Sequence, residues 1–590
     1  MKSKVRSKSK KRSLFDPTAV VTLLQQALRR DLSSAVVASG EIDPISRLAQ
    51  DQSANFTKKY SDPSIDQQPL VDLTYEKFHN VNTHMRGVKL DFKSPTAVRV
   101  LSTTPELEGV LLKARAYMHM VLTDFDEEEW FDQCRNGPGT SIGIKYSDTS
   151  LEAKLTFPMS LTSRVAPLMD RYMLHNFQLC KAVEKFNSLE PKLGMYDYVK
   201  GSRATTVEKN DKIRRMIAIE PTGNMFFQQG LMSMMYKRMA KFGLDVEKLQ
   251  PMHQERARIS SITSKEATID WSSASDCNSL ELLKWLLPPK WFSVCELVRS
   301  PSMEIEGKEI ELNMFSTMGN AVTFPLETLV FWTIGHAVND LANGNRSLLP
   351  NLTRCESTGR YLKDWLEISV FGDDCIVPTR IAERFIKALV DVGFIINSEK
   401  SFYSDDDHGF RESCGGDYLH GYNVRPFNIK APSSTSKSAF VPWLNIAFNR
   451  LVTKYITCFG SLNYMYDKEL WRVFEKLSIE HKLTFRLVPN YFPDDSGLKI
   501  SNDLLRLRLH YPGIRFAFVR CDRHGTYAFT YSRFIYRDRT NKCDDLHYVQ
   551  ALQRPVLRES SPWKSTKKKG GYVVAKGLSS HWTVPVQRNC

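Results

Sequence analysis

Three carboxylates set the chemical question. Asp373 and Asp374 adjoin one another inside ISVFGDDCIV, Ile368 to Val377, and Asp270 lies in ATIDWSSASD, Ala267 to Asp276. Carboxylates are hard oxygen donors, which suits Mg²⁺: that ion commonly takes one or two of them and completes its shell with water and substrate phosphate. Two such ions about 3.5 to 4 Å apart can activate an attacking hydroxyl and stabilise a leaving pyrophosphate. A second group has the opposite sign, namely Lys209, Lys212, Arg214 and Arg215 in VEKNDKIRRMIAIEP, Val207 to Pro221. Cations gathered before one apolar run suit a triphosphate, whose charge must be offset during phosphoryl transfer. Each group also has a plainer reading: the Gly-Asp-Asp triplet as a solvated turn, the cations as a basic surface rim.

The elements that must hold these groups follow from local pattern. β-formers on both sides of Gly372, Asp373 and Asp374 predict a hairpin with the two acids at its tip. Strand side chains alternate faces, so both acids cannot point into a core, and charge placed there needs water or a cation. The stretch around Asp270 predicts a short strand ending at that residue, a serine-rich N-cap region and an apolar helix through LELLKWLLPP. The run MIAI puts the cations near the end of a strand. STMGNAVTFPLETLVF, Ser316 to Phe331, reads as a small-residue loop entering a helix. There Gly319 permits close backbone approach, and Ser316, Asn320 and Thr323 could meet a template strand or a ribose. RIAERFIKALVDVGF predicts an amphipathic helix, and INSEKSFY a strand bearing Lys400. NGPGTSIG, Asn136 to Gly143, is rich in Gly and hydroxyls but lacks the Gly-Lys-Ser/Thr ending of a phosphate-binding loop, and is taken as a turn.

Composition bounds the rest. A chain of 590 residues exceeds one ordinary core, so roughly two to four subdomains are expected. Apolar and aromatic contents of 42% and 11% are those of a folded protein. The balance of 81 basic against 66 acidic residues, +15, points to a polyanionic partner, although it also serves solubility. Eleven cysteines are scattered without a CxxC pair, which argues against a disulfide framework or zinc module and fits a reducing cytosol. The opening MKSKVRSKSKKRS is a basic tail, either an RNA-binding arm or a solubilising one. It is not followed by a signal-peptide core, because Asp16, Pro17 and Thr18 interrupt the apolar run; instead Asp16 caps a helix with Pro17 in its first turn. No run is long enough to span a bilayer, and no internal repeat is visible. After Ala431 come the linker APSSTSKS, two helical patterns, and a predicted hairpin of IRFAFVR and YAFTYSRFIYR around CDRHGT. Its interleaved aromatic and basic residues suit base stacking, or simply a half-buried sheet with Arg on its wet face. Lys567, Lys568 and Lys569 add a basic tail.

The order of these features is that of a template-directed polymerase palm, and the resemblance extends to particular blocks. VEKNDKIRRMIAIEP with GNMFFQQG, ATIDWSSASD, LLPPKWF, RSP at Arg299 to Pro301, STMGNAVTFPLETLVF, FGDD and FRESCGGDYLHG lie between Val207 and Phe427. Together they resemble the replicase catalytic subunit of the leviviruses, small positive-strand RNA bacteriophages typified by Q-beta. The resemblance implies an α+β right-hand polymerase with fingers, palm and thumb, the palm an antiparallel sheet of RRM-like topology. It implies a basic tail at 1–15, an N-terminal region and fingers at 16–265, a catalytic palm at 266–427 and a thumb with C-terminal region at 428–590. It implies that Asp270, Asp373 and Asp374 bind two Mg²⁺ ions, with Mn²⁺ a possible substitute, and that Lys209, Lys212 and Arg215 hold the incoming triphosphate. Arg214 departs from the pattern, which carries an acid there. Asp276 matches the position that senses the ribose 2′-hydroxyl, helped by Ser316, Gly319, Asn320 and Thr323. Lys400 matches a lysine proposed to protonate pyrophosphate, and a surface lysine accounts for it equally. The implied activity is RNA-directed RNA polymerisation in the cytoplasm of an infected bacterium. Implied partners are template and product RNA, ribonucleoside triphosphates, host elongation factors Tu and Ts and a small-subunit ribosomal OB-fold protein, with no membrane. The alternatives are a reverse-transcriptase-like polymerase, against which Asp276 stands where an aromatic gate is usual, and a non-catalytic RNA-binding protein.

Overall fold

The computed structural model describes residues 15–347 and 367–499 apart from 37–42, 63, 89, 95–96, 101–104, 146–148, 150, 156–157, 177–179, 182–194, 405–406, 433–436, 461–467 and 489, together with strands at 515–516, 520–521, 526–536 and 572–583. The basic tail before Phe15 and the lysines at 567–569 lie outside the described residues. The chain divides into two compact units, one within Met1–Asp66, Val424–Arg537 and Gly570–Cys590, the other within Gln67–Asn423 and Asp538–Lys569. Among the described residues no helix is long and apolar enough to cross a membrane.

The unit containing Gln67–Asn423 carries every candidate site residue. Its relevant elements, in chain order, are α1 (Gln68–Gly87), β1 (Ser202–Glu208), β2 (Arg214–Ile219), α2 (Thr222–Met239), α3 (Val246–Thr263), β3 (Glu266–Ile269), β4 (Ser302–Ile305), β5 (Lys308–Glu311), α4 (Thr323–Ala342), β6 (Ser369–Phe371), β7 (Asp374–Pro378), β8 (Phe410–Ser413) and β9 (Gly416–Leu419). Two sheets frame the site. One runs β5-β4-β1-β2 and is antiparallel except where β4 lies parallel to β1; the other runs β6-β7-β3 and is antiparallel throughout. The class is a mixed helix and mainly antiparallel-sheet fold.

Both sheets rest on helices whose sequences are core-like. In α4, Thr323 and every residue from Pro325 to Asp340 are buried, as expected of a helix apolar on all sides. The Phe pair of GNMFFQQG, Phe226 and Phe227, is likewise buried in α2. His253 of α3 joins two hairpins, its Nδ1 3.0 Å from Ser413 Oγ of β8 and its Nε2 2.8 Å from Ser369 Oγ of β6. Burial pushes its pKa down to about 3, so the ring is neutral, one nitrogen donating and the other accepting.

In the other unit the helix Pro17–Ser33 starts where expected, with the Asp16 carboxylate accepting from the backbone N–H groups of Thr18 and Ala19. Asp31 on that helix caps a distant one, Glu469–Glu480, by accepting from the N–H groups of Glu469 and Leu470. The hairpin around CDRHGT is present in short form, Arg520–Cys521 against Tyr527 and Ala528, but the long partner of Thr526–Tyr536 is Tyr572–Thr583.

Candidate active site

Register brings the distant acids together. In the β6–β7 hairpin Phe371 pairs with Asp374, leaving Gly372 and Asp373 as a two-residue loop. Gly372 has φ +61, the left-handed conformation that the first position of a type II′ turn demands. A Cβ at Gly372 would sit 2.6 Å from Phe324 Cε2, while its N–H donates to Thr328 Oγ1 at 3.0 Å, so one face of α4 pins the loop. On the other edge of β7, Cys375 pairs with Ile269 of β3. Asp374 and Asp270 are therefore the next residues out on adjacent strands, near enough that the Asp270 charge raises the Asp374 pKa.

Each acid is held from behind. The Asp270 N–H donates to Ser401 Oγ at 3.2 Å, its carbonyl accepts from the Asn397 N–H at 3.0 Å, and its carboxylate accepts from Asn397 Nδ2. The N–H and the thiol of Cys414 lie close enough to the Asp374 carboxyl to favour its ionised form. Cys414 (φ +48) and Gly415 (φ +77) form the β8–β9 turn, the pair of positive angles that a type I′ hairpin requires. Gln254 of α3 fixes that turn, donating from Nε2 to the Cys414 carbonyl at 2.9 Å.

The electrostatic strain is large. Burial pushes Asp270 up to about 6, with Lys400 opposing and Asp373 adding to the rise. Burial and then Asp373 push Asp374 up to about 7. A fourth acid, Glu327 on α4, is buried beneath them; desolvation raises it well above the carboxylate range, and Asp373, Asp276, Asp270 and Asp374 each raise it further. Sequence reasoning passed over Glu327, whose one signal is an acid inside an otherwise apolar helical run.

The cations approach from the other sheet. Lys209 and Lys212 lie on the loop between β1 and β2, shaped by Asn210 Oδ1 accepting from the N–H groups of Lys212 and Ile213. Arg215 pairs with Val207, so both side chains share the face of Arg203, Thr205, Ile217 and Ile219. Lys209, Lys212 and Arg215 are all exposed. Partial desolvation by the groups around it lowers the Lys209 pKa first, then Arg215, Lys77 and Lys400, while Asp270 pulls it back up. Arg214 faces the opposite way, bonded through Nε to Thr206 Oγ1 at 2.9 Å, and its backbone N–H donates to Thr74 of α1. The structure gives it a scaffolding contact.

Lys400 does not lie in a strand. Ile395–Ile396 is a strand and Phe402 bridges Thr268, but Asn397 to Lys400 between them forms a turn closed by the Lys400 N–H on the Asn397 carbonyl, because Asn397 is drawn to Asp270. Lys400 Nζ sits 3.0 Å from Glu412 Oε1. Burial lowers its pKa, but Glu412, Asp270 and Asp374 outweigh that and the net shift is upward.

Asp276 ends a short 3₁₀ turn, Ala274–Asp276; burial pushes it up to about 7 against the pull of the nearby Met318 N–H and of Lys77. The loop it meets is bound edge-on to β2, with the Ala218 N–H donating to the Met318 carbonyl at 2.7 Å. Ser316, Asn320 and Thr323 are buried: Thr323 Oγ1 lies 2.8 Å from Ser316 Oγ, and Asn320 Oδ1 accepts from the Val322 N–H. The two hydroxyls and the Asn320 amide oxygen are thus turned onto the loop itself.

The family model described as RNA replicase, beta-chain, matches residues 52–486, a span that contains both acid-bearing strands and the basic hairpin. The chain belongs to the RNA replicase beta-chain family. The RNA-directed RNA polymerase beta chain of Enterobacteria phage fr is 34% identical over 361 residues, covering 61% of this chain and 58% of the relative. The RNA-directed RNA polymerase subunit beta of Escherichia virus Qbeta is 37% identical over 230 residues, covering 39% of this chain and 35% of the relative. The chain therefore spans less than two thirds of the length of these relatives. Among solved structures, the RNA-dependent RNA polymerase of a human picorbirnavirus aligns at 13% identity and a TM-score of 0.31, covering 79% of this chain and 90% of that one. The levivirus resemblance of the sequence is borne out by the family match and the phage relatives.

Two further features of this replicase-family site bear on its chemistry. A cavity of about 910 Å³ is lined by Arg203, Thr205, Val207, Ile217, Ile219 and Gly319 and, opposite them, by the loop Asn136 to Lys145. Lys154 shapes that loop, donating to the Gly139 carbonyl at 2.7 Å and to that of Gly137. Among the described residues no three His, Cys, Asp or Glu side chains converge tightly enough to hold an ion by themselves. Hard, crowded carboxylates whose ionisation burial opposes nevertheless fit Mg²⁺, which leaves several positions to water and phosphate.

A thermodynamic signature follows. In the metal-free fold Asp270 and Asp374 titrate near 6 and 7 instead of 3.8, so between about pH 4 and 7 the folded state holds protons the unfolded state has released. Stability then falls as pH rises through that window, and Mg²⁺ can restore it only where the carboxyls are ionised. Thermal melts should show a Mg²⁺-induced rise in Tm at least about 2 °C larger at pH 8 than at pH 5.5. Equal shifts at both would contradict this.

Proposed function

We propose that the chain is an RNA-directed RNA polymerase that copies a positive-strand RNA phage genome in the cytoplasm of its bacterial host. The observation that carries this reading is the placement of Asp270 beside Asp374 across the β3–β7 ladder, with Asp373 on the adjoining loop and Lys209 in electrostatic contact with Asp270. The proposed architecture is the right-hand one, with an N-terminal region and fingers at 16–265, an RRM-like palm at 266–427 and a thumb with C-terminal region at 428–590.

Asp270, Asp373 and Asp374 would hold two Mg²⁺ ions, which when bound supply activation of a 3′-hydroxyl and stabilisation of the leaving pyrophosphate. The chain's own groups do the rest. Lys209, Lys212 and Arg215 bind the triphosphate and offset its charge from the β1–β2 hairpin. Asp276 reads the ribose 2′-hydroxyl, and Ser316, Gly319, Asn320 and Thr323 contribute by fixing the shape of the loop that meets it. Lys400, kept protonated by Glu412 and the nearby aspartates, is placed to donate a proton to pyrophosphate. Asn397 bonds Asp270, and Cys414 lies against Asp374, as partners behind a metal ligand do. Elongation factors Tu and Ts and a small-subunit ribosomal OB-fold protein are the proposed host partners.

The test is incorporation on an RNA template with NTP and dNTP in competition. NTP should be preferred by at least about a hundredfold. Preference for dNTP favours a reverse-transcriptase-like enzyme, and a flat response to both Mg²⁺ and NTP favours a non-catalytic RNA-binding protein.

A further inference from the structure

Glu220 follows the last residue of β2, is 2% exposed, and has no part in the chemistry above. Its Oε2 accepts from Ser300 Oγ at 2.7 Å and from Gln228 Nε2 at 3.1 Å. Burial raises the Glu220 pKa, and Ser300, Gln228, the Asn320 amide nitrogen, which is buried without a hydrogen bond of ordinary geometry, and Arg299 oppose that rise. Gln228 extends the cluster, its Oε1 accepting from the Ala321 N–H at 3.3 Å and its Nε2 also donating to the Val298 carbonyl at 2.9 Å. Directly above, the Ala218 N–H donates to Met318, and Gly319 lies so close that a Cβ there would come 2.1 Å from the Ala218 carbonyl oxygen.

The Glu220 carboxyl and the Gln228 amide that it holds thus link three segments that are far apart in sequence: the end of the basic strand, the Arg299–Pro301 segment and, through the Ala321 N–H and the nearby Asn320 amide, the end of the Ser316–Asn320 loop. An apolar side chain of similar volume would sit in this place at less desolvation cost. What it could not supply is a single point at which donors from separate segments fix one register. We propose that Glu220 is a positioning residue that locks the Ser316–Asn320 loop to the triphosphate-binding strand, so that ribose and phosphates of the incoming nucleotide are read in one rigid frame. The inference rests on the reading of that loop and strand given above.

Steady-state incorporation by the full chain, measured as kcat and KM for NTP and as NTP/dNTP discrimination, tests it. Glu220→Gln keeps the volume but turns an N–H₂ group toward donors. It should raise KM for NTP and lower discrimination by about tenfold to a hundredfold, with Tm and RNA retention nearly unchanged. Ser300→Ala removes a single donor and should shift both quantities the same way by about threefold. Wild-type KM and discrimination in Glu220→Gln at wild-type Tm would overturn the inference, leaving a purely structural carboxyl. Should Glu220→Gln fail to fold, unchanged discrimination in Ser300→Ala overturns it instead. A wild-type chain that incorporates NTP without discriminating against dNTP sinks the reading of the loop, and this inference with it. Intact wild-type discrimination with silent variants sinks the inference alone.

Discussion

Asp373→Ala is expected to lower nucleotide incorporation by at least about a thousandfold, roughly 4 kcal/mol of transition-state stabilisation, while RNA retention changes by less than about twofold. Asp373 is exposed on a two-residue loop, so its truncation removes no packing. It does remove one negative charge from a cluster in which Asp270, Asp374 and Glu327 are each pushed up partly by Asp373 itself. Metal-free stability should therefore hold or rise as activity disappears, a combination that general damage to the fold does not produce. Retention should persist because affinity for RNA comes from phosphate contacts spread over a chain of net charge +15. Primer extension within tenfold of wild type would remove the reason for treating this hairpin as catalytic.

Gly319→Ala should lower kcat/KM for NTP by at least about a hundredfold without unfolding the protein. Gly319 has φ +126, a conformation L side chains rarely adopt, and the added Cβ would come 2.1 Å from the Ala218 carbonyl oxygen. That contact is with backbone, which cannot rotate aside, so the loop must leave β2. Departure of the loop breaks the Ala218–Met318 hydrogen bond and takes away the nearby Met318 N–H, which favours the ionised form of Asp276. Circular dichroism and Tm close to wild type, with the loss confined to turnover and nucleotide selection, is the expected outcome. Full activity would mean that the loop need not contact β2 during the reaction.

What the sequence disclosed is local, and what it hid is remote. Alternating β-formers around Gly372 specify a hairpin, and Asp16 with Pro17 specifies a helix start, because turn and cap geometry depend on a few adjacent residues. The Asp270 strand was legible for the same reason. Its pairing with β7 was an expectation from the resemblance, since register between segments so far apart leaves no trace in either one. Lys400 was read as a strand residue because Ile395 and Ile396 begin one. The turn that follows is set by Asn397 bonding to Asp270, a contact no window of sequence contains. Glu327, Cys414 and Glu220 escaped notice because each acts through neighbours from other elements. The pairing of Thr526–Tyr536 with Tyr572–Thr583 escaped for the same reason, and the adjacent CDRHGT loop drew attention to the shorter partner.

The central claim is that Asp270 and the acids of the β6–β7 hairpin share divalent ions. Anomalous diffraction from crystals grown with Mn²⁺, RNA and a non-hydrolysable NTP tests it most directly. The account predicts Mn²⁺ peaks between the Asp270 carboxylate and those of Asp373 and Asp374, lost in the Asp270→Asn variant. Nucleotide ordered at the site with no metal peak at these three side chains, or peaks elsewhere that survive Asp270→Asn, would contradict it.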